Sequence, residues 1–199
     1  MTSQVEICNL ALGHIGQRPI TAITEQTVQA EACSRIWDSC LKETLRGHDW
    51  TFATAIIPLA LITTVDYTDL GWLYVYAYPA NCVAMWHLYN IATIDKGAGE
   101  PFREIYDSTL NQKIILTNTE LAYGEYTFFV QDTSLFDANF VTALGYRMAA
   151  DLAMALNGDT ELAKGMIAVF NTTISEAERM SAYENNQTHD STSAFVDSR

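Results

Sequence analysis

The chain has 199 residues, 49% hydrophobic and 18% charged, the balance of a folded domain with a sizeable core and not of a disordered chain. Its 24 acidic residues against 11 Lys and Arg give a formal charge of −13, with no basic run, which argues against sequence-specific nucleic-acid binding. The opening MTSQVEICNLALGHIGQ lacks the basic start and apolar core of an export signal, and no stretch reaches the roughly 18 apolar residues of a membrane span. We therefore expect a soluble, unexported chain whose sequons at Asn171 and Asn186 stay unmodified.

In chain order, Ser3 and Glu6 form a capping box, and Val5, Cys8, Leu12 and Ile15 give one apolar face, predicting a helix over residues 4–12. Gly13, Gly16 and Pro19 end it. A second helix is expected over residues 26–46, with Cys33, Ile36, Trp37, Cys40, Leu41, Thr44 and Leu45 on one stripe and Arg35, Asp38, Lys42 and Glu43 opposite. Gly47 stands where a left-handed closing residue would fit.

Residues 51–131 change character. β-Branched and aromatic residues gather in short runs at 72–78, 83–89, 102–106, 113–117 and 125–131, separated by Gly, Pro, Asn and Asp. We expect about five strands in one small, mostly antiparallel sheet. Trp72, Tyr74, Tyr76 and Tyr78 alternate along one strand and fit three roles: core, subunit contact or ligand groove.

Helical periodicity returns with Phe140, Leu144, Met148, Leu152 and Leu156, opened by Asp137 and stopped at Asn157-Gly158. Asp159 caps a last helix running to about residue 183, with Leu162, Met166, Val169, Phe170, Ile174 and Ala177 on its stripe. The final ENNQTHDSTSAFVDSR is polar and aperiodic apart from Phe195 and Val196, and reads as a flexible tail. Paired apolar stripes must be buried, so the predicted fold is α+β: a four-helix bundle with a small β domain inserted between helices 2 and 3. The expected domains are residues 1–50 with 132–183, the β-rich 51–131, and the tail 184–199.

The residues offer little chemistry. His48 and Asp49, in LRGHDWTFAT (45–54), are adjacent, so their side chains diverge and the carboxylate is poorly placed to orient the imidazole. No G-x-S-x-G, H-E-x-x-H or P-loop occurs, and GAGEPF (97–102) lacks the Walker lysine. His14, His48, His87 and His189 are dispersed, and Cys8, Cys33, Cys40 and Cys82 form no CxxC, so we expect reduced core thiols, no metal, no cofactor and no catalytic residue. Abundant carboxylates beside the aromatic ladder leave glycan binding or glycan degradation as the alternative.

Read together, NLALGHIGQRPITAITEQTVQAEACSRIWDSCLKETLRGHDWTFAT (9–54) resembles the head-to-tail adaptor proteins of tailed phages, in particular the tail tubular protein A family of short-tailed phages. The features that carry the resemblance are Asn9, Leu12, Gly16, Ile20, Ala30, Ala32 and the W-x-F-A of Trp50, Phe52 and Ala53. YAYPANC (76–82), the stretch 126–153 and the terminal SAFVDSR extend it along nearly the whole chain. The resemblance implies a structural virion protein at the head-to-tail interface, made in the host cytoplasm. It implies a homo-oligomeric, dodecameric ring between portal protein and tail nozzle protein that forms part of the DNA ejection channel, with DNA as passing cargo and no membrane partner. It places portal or neighbour contacts at Phe195, Val196 and Arg199, and a structural joint at Gly47, Trp50 and Phe52.

Overall fold

The computed structural model describes residues 2–92 and 99–187, with side chains to residue 180. These residues form four α-helices and seven strands: α1 (Gln4–His14), α2 (Val28–Arg46), β1 (Thr54–Pro58), β2 (Leu61–Ile62), β3 (Tyr74–Ala77), β4 (Cys82–Tyr89), β5 (Phe102–Asp107), β6 (Gln112–Thr117), β7 (Tyr123–Phe128), α3 (Ala138–Leu152) and α4 (Thr160–Gln187). The chain divides into two compact units, Met1–His48 with Asp132–Arg199, and Asp49–Gln131.

Local signals set the helix ends. The Ser3 hydroxyl accepts from the Glu6 amide while the Glu6 carboxylate accepts from the Ser3 amide, completing the capping box. Thr27, Asp137 and Asp159 accept from first-turn amides of α2, α3 and α4. After α3 the backbone widens into a π-turn over Ala153–Asn157 and stops at Gly158, whose φ of 65° is the left-handed conformation expected there.

The four-helix bundle with one small inserted β domain is not what forms. The fold is mixed α+β, with four helices and two antiparallel sheets of three and four strands. The main helix packing converges on α3, which lies against α1, α2 and α4 and buries Phe140, Leu144, Met148 and Leu152 together with Ala143, Gly145, Ala149 and Ala150. Small residues on the flanks of the Phe-Leu-Met-Leu stripe let neighbours approach on more than one side. The predicted single stripe on α3 understates this.

One sheet has the order β1-β7-β4 and the other β2-β3-β6-β5. All five predicted strands form, and β1 and β2 join them from TAIIPLALI, a continuous apolar run broken by Pro58 that shows no alternation. Residues Ile114, Ile115, Leu116 and Thr117 of β6 are all buried, so both faces of this strand are covered. On one face Tyr76, Leu88, Ile115 and Ala122 form a core with Tyr74, Tyr78, Met85 and Phe102 packed against it. On the other, Val75, Ile114 and Leu116 are covered by Ile62, Val65, Tyr67 and Trp72. Tyr74, Tyr76 and Tyr78 thus belong to an interior cluster, and Trp72 to the opposite one.

Between α1 and α2 the chain is pinned by side chains. Asn9 donates to the Ile20 carbonyl at 2.9 Å and accepts from the Ile20 amide at 2.7 Å, pairing helix to connection as a strand would. The Glu25 carboxylate accepts from the Thr21 hydroxyl and amide, the Thr27 hydroxyl and the Ala22 amide, which hold its pKa down at about 2 against an ordinary 4.5. The folded-state pKa is depressed, so this contribution to stability is complete above about pH 4.5 and is lost as pH falls towards 2. Urea midpoints of wild type and Glu25→Gln should differ most above pH 4.5 and converge on acidification; a constant difference would refute the assignment.

Candidate functional site

The stretch around Gly47 carries the residues singled out in the sequence. Helix α2 runs to Arg46, and the boundary between the two units falls between His48 and Asp49. His48 is buried and Asp49 exposed. Along the chain, His48 closes the first segment of the helical unit and Asp49 opens the β unit.

Gly47 corrects the expectation of a left-handed closing residue. Its φ is −73° and ψ −22°, right-handed helical values open to any residue. The constraint on it is space: a β-carbon there would stand 3.3 Å from Ile174 Cδ1 and 3.4 Å from the Thr44 carbonyl oxygen. Glycine lets the end of α2 lie close to α4. Beside it an open groove of about 450 Å³ is lined by Arg46 and Gly47 from the end of α2 and by Phe170, Asn171, Ile174 and Ser175 from α4.

Beyond the boundary, Trp50 is 3% exposed and Phe52 half-buried, their ring centroids 6.4 Å apart. The Trp50 carbonyl accepts from the Ala53 amide at 2.8 Å and from the Thr54 hydroxyl at 2.9 Å, closing a short 3-10 turn that leads directly into β1. Ala53 is fully buried. The W-x-F-A pattern is therefore a turn that seats one indole and launches the first strand. Phe195, Val196 and Arg199 lie outside the described residues.

Charged chemistry elsewhere is absorbed by structure. Arg147 of α3 pairs with Glu43 of α2 at 2.7 Å and with Asp151 at 2.8 Å. Burial works against its charge, but the bonds to Asp151 and Glu43 outweigh that and hold its pKa above the ordinary range. The Cys40 thiol lies 3.5 Å from the other Asp151 oxygen and is pushed up to about 12, by burial first and the Asp151 charge second. The neighbouring Cys33 thiol and burial push the Cys8 thiol far up, while Cys8 draws the Cys33 thiol down. Cys8, Cys33 and Cys40 are buried and free, and Cys82 is half-buried. Protonated interior thiols such as Cys8 and Cys40 are poor nucleophiles and poor ligands. Among the described residues, no group of three or more His, Cys, Asp or Glu is arranged to hold a metal ion.

Two arrangements were not legible in the sequence. The Tyr89 hydroxyl donates to Glu125 at 2.6 Å with the Asp49 charge nearby; burial, then Glu125, then Asp49 raise the phenol pKa, so the proton stays on Tyr89. This joins β4 to β7 across a diagonal that strand patterning cannot assign. His14 stacks on Tyr146 with centroids 4.3 Å apart, and burial lowers its pKa. A lone histidine at a helix end carries no signal for that partner.

The chain matches no family model and no curated protein.

Removal of the seated indole should cost about 3–5 kcal/mol, so Trp50→Ala is expected to lower the urea midpoint markedly, whereas the half-buried Phe52→Leu should cost less than half as much. Equal effects at the two positions would remove Trp50 from the role of anchor.

Proposed function

We propose that this chain is a structural virion protein, a head-to-tail connector adaptor that assembles as a ring between portal protein and tail nozzle protein and forms part of the DNA ejection channel. The observation that carries the reading is that the residues of the resemblance have separate, specific positional duties. Asn9 clamps Ile20 through both polar atoms of its amide, Ala30 and Ala32 are buried in α2, and Trp50 and Ala53 are buried in the turn that starts the second unit.

Charge supports the same reading. A subunit of net charge −13 repeated around a ring produces a strongly negative assembly, and a negative lumen repels phosphate so that DNA passes without adhering. DNA is cargo in this account. Tyr76 is buried, its hydroxyl donating to the Thr119 carbonyl and accepting from the Ala122 amide, and Tyr74 and Tyr78 pack against the same core, which favours a core role for the ladder over a glycan groove.

The expected tail begins at residue 184, but α4 runs to Gln187, so in the ring it is residues 188–199, with Phe195, Val196 and Arg199, that reach the portal or an adjacent subunit and bury apolar contact there. The full chain should co-sediment with its cognate portal rings. A chain lacking residues 188–199 should keep the wild-type unfolding midpoint and lose that attachment. Undiminished attachment would remove the tail from the interface, and failure of the full chain to attach would overturn the connector reading itself.

A further inference from the structure

The two long helices α2 and α4 differ in their outer faces. On α2 the exposed Glu31, Arg35, Asp38, Lys42 and Glu43 carry charge along its length, as a solvated face does. On α4 residues 165–175 include no charged residue, although seven of the eleven are exposed, Ile167 and Val169 among them.

Helix α4 buries Ala163, Phe170, Ile174 and Ala177, and its main contacts are with α3 and the π-turn after it. On the opposite side Glu161, Gly165, Ala168, Thr172, Ser175 and Arg179 recur at spacings of four and three, all exposed, and form one seam. The Thr172 hydroxyl donates to the Ala168 carbonyl at 2.9 Å and is thus turned back onto its own helix. A β-carbon on Gly165 would meet nothing within 4 Å, so no neighbour inside the chain accounts for a glycine that weakens the helix.

The charges at the two ends of the seam decide what can lie on it. Glu161 and Lys164 stand before the uncharged centre, Glu178 and Arg179 after it. An antiparallel second copy, related by a two-fold axis level with Phe170, sets Glu161 opposite Arg179, Gly165 opposite Ser175 and Ala168 opposite Thr172. In an antiparallel pair each flank faces its own counterpart, which brings Lys164 opposite Glu178. Glu176, on the other flank, falls between Leu162 and Gly165 of the second copy and meets no like charge. A parallel copy would set Glu161 against Glu161 and Arg179 against Arg179. Elsewhere a net charge of −13 on each copy opposes association, so two copies need a face whose charges match.

We propose that the outer face of α4 is a contact between two copies of this chain, packed antiparallel about that axis. The seam from residue 161 to 179 is about 27 Å long on a helix about 10 Å wide, which covers well under the roughly 800 Å² per partner of a stable interface. The pair is therefore weak and reversible, with a dissociation constant on the order of 100 micromolar. This does not rest on the connector reading: a ring closed head-to-tail holds no two-fold contact between neighbours, so the pair is a state of the chain before it joins a ring.

Sedimentation equilibrium of the full chain, from about 10 micromolar to about 1 millimolar, should show a monomer–dimer equilibrium. Glu161→Arg and Arg179→Glu should each weaken it on the order of tenfold. The chain carrying both exchanges should recover wild-type pairing, as should an equal mixture of the two single variants. Residues 161 and 179 are too far apart along one helix to touch within a chain, so that recovery can come only from a second copy. Urea midpoints check that each variant is folded, and Lys164→Glu with Glu178→Lys repeats the exchange should Glu161→Arg fray the start of α4. A chain that stays monomeric throughout, single variants that pair like wild type, or a folded double exchange that fails to recover pairing would overturn the proposal. Portal attachment is read separately, by co-sedimentation, and its failure bears on the connector reading alone.

Discussion

The helical unit depends on α3 being a helix that other helices can approach from several directions. A surface helix needs one apolar stripe, but α3 buries Phe140, Leu144, Met148 and Leu152 and also Ala143, Gly145, Ala149 and Ala150. At Gly145 the approach is closest: a β-carbon there would lie 2.8 Å from Leu10 Cδ2 of α1. On its polar edge, Arg147 holds Glu43 of α2 and Asp151 together, so the same helix supplies both the apolar centre and the ion pairs that fix a neighbour. With α3 as the shared partner, α1, α2 and α4 need no extensive contact with one another, and a four-helix bundle is not required.

The β unit solves a similar problem with a strand. β6 is buried on both faces, one by residues of both sheets and the other by the connection holding Val65, Tyr67 and Trp72. Gly124 of β7 makes room where a β-carbon would meet Leu59 Cδ2 at 3.0 Å and Met85 Sδ at 3.1 Å. The interior of the β unit accounts for the tyrosine ladder.

What the sequence reveals is what short-range chemistry dictates. Ser3 with Glu6, Asp137, Asp159 and Gly158 act within a turn of their own position, and each does what its spacing predicts. The α2 stripe is legible for the same reason, as residues three and four apart share a face. The constraint on Gly47 is Ile174, distant in sequence and invisible to local rules. β1 and β2 escaped because their run TAIIPLALI neither alternates nor ends on turn residues, and only pairing with β7 and β3 makes them strands. On α4 Phe170, Ile174 and Ala177 are buried as their spacing predicts, and only Val169, at the edge of that stripe, is exposed. Leu121 gives no sign of its left-handed backbone, since leucine is the residue that local rules would exclude there.

The central claim is that this chain closes into a ring that sits on a portal. Its most direct test is the mass and rotational symmetry of the complex between the purified chain and its cognate portal, by light scattering and negative-stain imaging. The account predicts a coaxial ring of about twelve copies, closed by a head-to-tail contact between subunits. A chain that remains monomeric in the presence of portal, with no added density on its axis, would contradict it.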